Sequence, residues 1–131
     1  MKKTALLNQP LSAVIAGMGH GDLLVIGDAG LPIPAGIPRI DLAVTAGVPR
    51  MLEVLRAVLT ELQVEEALVA QETWEVSPQV GEGIRTALGS VPIRTITHAE
   101  LKELSARAVA VVRTGECTPY ANVVLKAGVT F

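Results

Sequence analysis

Leu23-Leu24-Val25-Ile26-Gly27-Asp28-Ala29-Gly30 is the stretch on which the architecture turns. Four aliphatic residues follow one another without the polar alternation of a half-solvated strand. Such a run suits a central parallel strand covered on both faces. It stops at Gly27 in a turn-prone loop that carries a carboxylate, Asp28. Upstream, His20-Gly21-Asp22 leads into the run. Before that, Asn8 can cap a short helix with Pro10 in its first turn, Leu11, Val14 and Ile15 on one face, and Gly17 and Gly19 at its end.

Downstream, Leu31–Pro38 holds three prolines and a glycine and reads as an ordered loop. Ile40–Val44 is a second strand. Gly47-Val48-Pro49 opens a strongly amphipathic helix with Met51, Leu52, Leu55, Val58, Leu59 and Leu62 on its apolar stripe. Arg50, Glu53, Arg56 and Glu61 lie away from that stripe. Ala67–Ala70 is a third strand, ending at Gln71-Glu72. Ser77-Pro78 starts another helix, weakened by Gly81 and Gly83 and closed near Gly89. Ile93–Ile96 is a short strand. Thr97-His98-Ala99-Glu100 has capping-box spacing, which puts His98 in the first turn of a helix running to about Arg107. Ala108–Val112 and Asn122–Val129 complete the strands. Alternating strands and helices predict an α/β fold, one three-layer domain over residues 1–131 with a mostly parallel central sheet flanked by helices.

The 131 residues carry a net charge of −2, are 50% hydrophobic and only 2% aromatic. No basic stripe or aromatic platform for nucleic acid is present. No apolar run approaches membrane-spanning length, and the apolar run after Lys2-Lys3 breaks at Asn8-Gln9-Pro10, too early for a signal peptide. Cys117 is the only cysteine, so an intrachain disulfide is excluded and a cytoplasmic location is expected. The aliphatic excess, with a mean hydropathy of +0.46, predicts further burial between subunits of a homo-oligomer. The C-terminal tail ending in Phe131 is a candidate contact.

Ligands of open α/β sheets bind beyond the carboxyl ends of strands. Those ends supply Asp28, Gln71, Glu72, Arg113 and Glu116. The segment Arg113-Thr114-Gly115-Glu116-Cys117-Thr118-Pro119-Tyr120-Ala121-Asn122 is dense in polar groups between two apolar runs and contains the only tyrosine. Fixed donors and acceptors at this density suit a small polyhydroxylated ligand. His20 reads either as a proton-transfer group or as a helix-end residue meeting free carbonyls. His98 reads either as an exposed first-turn residue or as a ligand contact beside unpaired N–H groups. The two histidines lack a metal-ligand motif, although Asp28 or Glu72 offers a third donor. Cys117 reads either as a nucleophile beside a histidine or, far more commonly, as a buried or bystander thiol, and Gly17-x-Gly19-x-Gly21 precedes a strand and lacks the dinucleotide spacing.

Taken together, Gly19-His20, Asp28-Ala29-Gly30-Leu31-Pro32-Ile33-Pro34, Arg39-Ile40-Asp41, Gly47-Val48-Pro49, Thr97-His98, Arg113-Thr114-Gly115-Glu116, Pro119-Tyr120-Ala121-Asn122 and the tail Ala127–Phe131 resemble the ribose pyranase/fucose mutarotase family. So do Lys2-Lys3 and Leu7-Asn8. The resemblance spans nearly the whole chain in the same order. It implies an enzyme that interconverts the pyranose and furanose forms of D-ribose, with no cofactor, in a decameric ring of two pentamers; the reaction itself calls for no metal. It further implies His20 as the proton donor and Asp28, His98, Tyr120, Ala121 and Asn122 as sugar-binding residues, with Lys102 near the cleft. Trp74 stands where the family pattern Glu-Ile-Lys has its lysine, which puts a basic contact from this loop, and the sugar preference, in question. Ring opening needs a base for the anomeric hydroxyl and an acid for the ring oxygen, work that a histidine can do. A non-catalytic sugar-binding subunit of a transport or regulatory system would use the same hydroxyl-gripping residues. A sugar-phosphate isomerase would need more cations than Arg113 and Lys102.

Overall fold

A computed structural model describes residues 1–131. Its elements are α1 (Gln9–Gly17), β1 (Leu23–Gly27), β2 (Arg39–Asp41), α2 (Met51–Leu59), β3 (Val64–Ala70), α3 (Gln71–Val76), α4 (Pro78–Leu88), β4 (Ile93–Ile96), α5 (His98–Ser105), β5 (Ala110–Arg113) and β6 (Val123–Ala127). The six strands form one sheet in the order β2-β5-β1-β6-β3-β4. β1 lies near its middle, and Leu24, Val25 and Ile26 have no exposed surface, as the aliphatic run predicted. Five strands run one way. β6 alone is reversed, antiparallel to β1 on one side and to β3 on the other. The sheet is therefore mixed but mostly parallel.

Two apolar layers cover the sheet. On one face α1, α2 and α4 place Leu11, Ile15, Met51, Leu55, Val58, Ile84 and Leu88 against Leu24, Ile26, Val69 and Leu125. On the other, Leu101 of α5 and Leu31 of the proline-rich loop pack on Val25, Leu68, Val111 and Val124. Alternate residues of β1 thus face different layers, the signature of a strand buried on both sides. Asn8 caps α1 by accepting from Leu11 N–H at 3.0 Å. The Thr97–Glu100 box closes reciprocally, with Thr97 Oγ1 accepting from Glu100 N–H at 3.1 Å and Glu100 Oε2 from Thr97 N–H at 2.7 Å.

Several boundaries differ from the sequence-based expectation. The second strand shrinks to Arg39–Asp41, because the chain beyond Leu42 turns back on itself through Thr45 and Val48. The third strand begins three residues earlier than Ala67, at Val64, and takes in two glutamates. Gln71–Val76 forms a helix where only a strand end was expected. The last strand is shorter than Asn122–Val129, and Phe131 is fully exposed on the single chain. Trp74 packs over Gly81 so closely that a Cβ there would collide with the ring, and the Arg85 guanidinium lies 4.8 Å from its centroid. No helix is long and apolar enough to cross a membrane.

Candidate functional site

Because β1, β3, β4 and β5 run the same way, their carboxyl ends share one edge of the sheet; β6 begins at that edge. Asp28 follows β1, Glu72 follows β3, His98 follows β4, and Tyr120-Ala121-Asn122 leads into β6. The structure therefore brings five of the six expected site residues to one edge. Asn122 is fully buried and clasps Asp28 twice. Its Oδ1 accepts from Asp28 N–H at 2.8 Å, and its Nδ2 donates to Asp28 Oδ2 at 3.0 Å. Asp28 Oδ1 accepts from Gly30 N–H at 2.9 Å. With both polar atoms engaged, Asn122 orients the carboxylate instead of meeting a ligand through a free amide. Gly27 is required beneath this clasp: a Cβ there would stand 2.6 Å from Leu31 Cδ2 and 3.1 Å from Asn122 Oδ1.

Tyr120 is the only non-glycine residue with positive φ, at 61°. A tyrosine held in that region costs on the order of 1–3 kcal/mol and needs its surroundings to hold it there. Thr73 Oγ1 donates to Tyr120 O at 2.7 Å and Ser77 Oγ donates to Pro119 O at 2.6 Å. Both hydroxyl residues are buried at α3 and at its junction with α4. The outcome is a phenol ring in T-shaped contact with His98, with ring centroids 5.0 Å apart and planes at 80°. The His98 N–H donates to Glu72 Oε2 at 2.8 Å, which fixes the start of α5. His98 Nδ1 is buried and has no hydrogen-bond partner. An unpaired buried nitrogen costs about 1–3 kcal/mol, so a ligand hydroxyl that reached it would remove a penalty. Ala121 is fully buried, main chain included.

Two groups that the sequence offered as ligand contacts are already engaged. Arg113 donates from Nε to Ala29 O at 3.0 Å and pairs through its terminal nitrogen with Asp41 at 3.1 Å. Arg113 thereby ties the loop after β1 to the end of β2. Glu116 is buried and accepts from Met51 N–H at 3.3 Å and from Thr118 Oγ1 at 2.8 Å. Burial pushes its carboxyl up, but these hydrogen bonds outweigh burial and hold it below the ordinary glutamate range. Glu116 braces the segment that delivers Tyr120. Thr73 and Ser77, which do the same, escaped the sequence reading; a hydroxyl pair flanking a helix junction was their only signal.

His20 lies elsewhere. It precedes β1, and β1 advances about 3.3 Å per residue, so the six steps from Asp22 to Asp28 separate the two sheet edges by about 20 Å. At its own edge His20 Nε2 meets Glu65 Oε2 at 2.7 Å, and 62% of its side chain is exposed. Within one chain His20 can share neither a sugar nor a metal ion with His98. The principal cavities of the single chain include one of about 650 Å³ between the start of α2 and the α3–α4 junction. None of the five main ones is walled by Asp28, His98, Tyr120 or Asn122.

Polar groups gathered at the strand ends of a mixed sheet with one reversed strand define the class: a small α/β protein with a candidate site at one sheet edge. The chain belongs to the RbsD / FucU transport protein family, whose model matches residues 1–130. It is 67% identical over 131 residues to the D-ribose pyranase of Symbiobacterium thermophilum, and 61% identical over 133 residues to that of Variovorax paradoxus, with full coverage of each chain. Its fold matches Bacillus subtilis RbsD complexed with D-ribose at a TM-score of 0.96, 39% identity and full coverage of both chains. A fucose mutarotase from Streptococcus pneumoniae in complex with L-fucose matches at a TM-score of 0.74 and 25% identity, also over the whole of each chain.

Proposed function

We propose that this protein is an isomerase that interconverts the pyranose and furanose forms of D-ribose by opening and reclosing the ring, without a cofactor. The observation that carries the reading is the buried, unpartnered Nδ1 of His98, whose ring meets Tyr120 in a T-shaped contact on the sheet edge that also holds the clasped Asp28. These groups offer a sugar a fixed carboxylate acceptor, a ring nitrogen and a phenol, with no cluster of cations that would select a phosphate. The D-ribose pyranases to which the chain is similar over its full length support the same activity.

In this reading Asp28 accepts from a sugar hydroxyl, His98 and Tyr120 hold others, and Asn122 acts through Asp28. The anomeric hydroxyl loses its proton as the ring oxygen gains one. The open chain rotates about a carbon–carbon bond and closes through a different hydroxyl. His20 is the proton donor. Since it lies about 20 Å from Asp28 along β1, it serves the site of a neighbouring subunit, whose own His20 serves another. Exposure of His20, and of Val44, Val129 and Phe131, fits an assembly that covers these residues. We take that assembly to be the decamer, with the tail against a neighbour, in the cytoplasm, where the free Cys117 stays reduced.

A second reading, a non-catalytic sugar-binding subunit, draws on the word "transport" in the family's description. The enzyme name carried by relatives at 67% and 61% identity weighs against it. Saturation-transfer NMR on equilibrated D-ribose separates the two. The protein should raise the pyranose–furanose exchange rate with chelator present; binding with exchange no faster than in buffer would leave only the second reading standing.

A further inference from the structure

His20 has one hydrogen-bonding partner, and that partner is itself unusually placed. The β3–β6 ladder pairs Val64 with Ala127 and Glu66 with Lys126, so Glu65 is the extra residue of a β-bulge. A bulge re-aims one side chain out of the alternation, and bulges gather beside active sites. Here the re-aimed Glu65 carboxylate bridges a histidine and a lysine from different elements. Its Oε2 lies 2.7 Å from His20 Nε2 and its Oε1 lies 2.7 Å from Lys126 Nζ. The turn that carries His20 is tied to the end of β6 by Gly21 N–H donating to Ala127 O at 2.8 Å and Ala127 N–H donating to Asp22 O at 2.9 Å.

We propose that Glu65 is a positioning residue for the proton transfer, holding His20 through Nε2 and leaving Nδ1 as the nitrogen that hands the proton to the sugar. This rests on the assignment of His20 as the proton donor. A carboxylate can only accept, so while Glu65 is ionised the His20 ring must present Nε2–H to it. Hydrogen bonds from Lys126 first and His20 second hold the Glu65 carboxyl below the ordinary glutamate range, and Glu65 in turn raises Lys126. The imidazolium then faces a fixed anion, and Lys126 offsets part of that anion's charge. The other charges at this edge are Asp22, whose Oδ2 accepts from Gly19 N–H at 2.8 Å, the Glu66–Arg94 pair at 3.0 Å, and Arg107, which lines the same cavity as Asp22 and Lys126.

The same exchange assay, run across pH on assembled protein, tests the proposal with three variants. Glu65→Gln removes the anion and can turn an amide donor toward the ring. It should lower the turnover rate by roughly tenfold or more, a share of the 10²–10⁴ typical of a positioned acid, with KM little changed. Lys126→Met, which leaves the carboxylate in place, should cost less turnover than Glu65→Gln. A fall in turnover at unchanged KM that follows the carboxylate and not the lysine is not what a merely structural role produces. Inactive His20→Ala beside a Glu65→Gln protein that matches wild type in rate and pH profile would overturn this inference alone. A fully active His20→Ala would overturn the assignment of His20 and this inference with it.

Discussion

The two edges of the sheet are built in contrasting ways. At the edge holding Asp28, Tyr120 and Asn122, the polar groups are clasped by buried partners: Asn122 and Thr73 have no exposed surface and Glu116 and Ser77 very little. At the opposite edge His20, Glu65 and Lys126 form a hydrogen-bonded chain whose side chains are 62%, 33% and 38% exposed. The first edge holds its polar groups fixed, as the proposed sugar site requires. The second presents the His20 ring outward. Under the proposed function, a binding surface and a proton donor at opposite ends of a strand require chains that stand side by side.

That division can be broken from either end, and the effects should differ in kind. The largest follows His20→Ala, which should lower turnover by about 10²–10⁴ while D-ribose still binds. Asp28→Ala should instead raise KM, through a lost hydroxyl contact worth about 0.5–1.5 kcal/mol, more for a charged one. Steady-state exchange rates over a range of sugar concentration separate the two; equal effects on KM from both variants would erase the distinction between the edges.

A smaller effect tests preorganisation itself. Asn122→Ala removes the partner of the part-buried Asp28 N–H and frees the carboxylate, which should cost about 1–3 kcal/mol of stability. Denaturant unfolding at fixed subunit concentration would read this, and no loss would mean that the clasp is not a structural element. The smallest concerns acid. Glu116 is held below its ordinary range in the folded protein. Its contribution is therefore complete above the unfolded glutamate value and is lost as the pH falls through the lower, folded one. Glu116→Gln should be less stable at neutral pH and should lose less on acidification than wild type. Identical acid profiles by thermal unfolding would remove Glu116 as a brace.

Much of this arrangement was legible in residue order. The Leu23–Ile26 run gave the doubly covered strand, and the Asn8 and Thr97–Glu100 caps gave two helix starts. Strand ends singled out Asp28 and the Tyr120–Asn122 segment. What escaped has physical reasons. A continuous apolar run carries no sign of direction, so Val123–Ala127 gave no hint of its reversal. Gln71–Val76 has no side-chain cap to announce a helix. The bulge at Glu65 breaks the period on which strand assignment rests, although two adjacent glutamates in an apolar strand were a visible anomaly. Arg113 and Glu116 show that residue type reveals chemistry but not the partner: both are spoken for inside the chain. The distance between His20 and Asp28 is invisible until the strand between them is drawn.

The central claim is that each site takes its sugar-gripping edge from one chain and its histidine from another. Subunit complementation tests it most directly. His20→Ala and Asp28→Ala subunits, each made as an assembled protein of low activity, would be dissociated together, reassembled as a mixture and assayed for D-ribose exchange. Shared sites predict recovered activity in the mixture, because some interfaces join an intact edge to an intact histidine. Mixed assemblies, verified by mass, that show only the averaged activity of the two parents would contradict it and place every catalytic group of a site on a single chain.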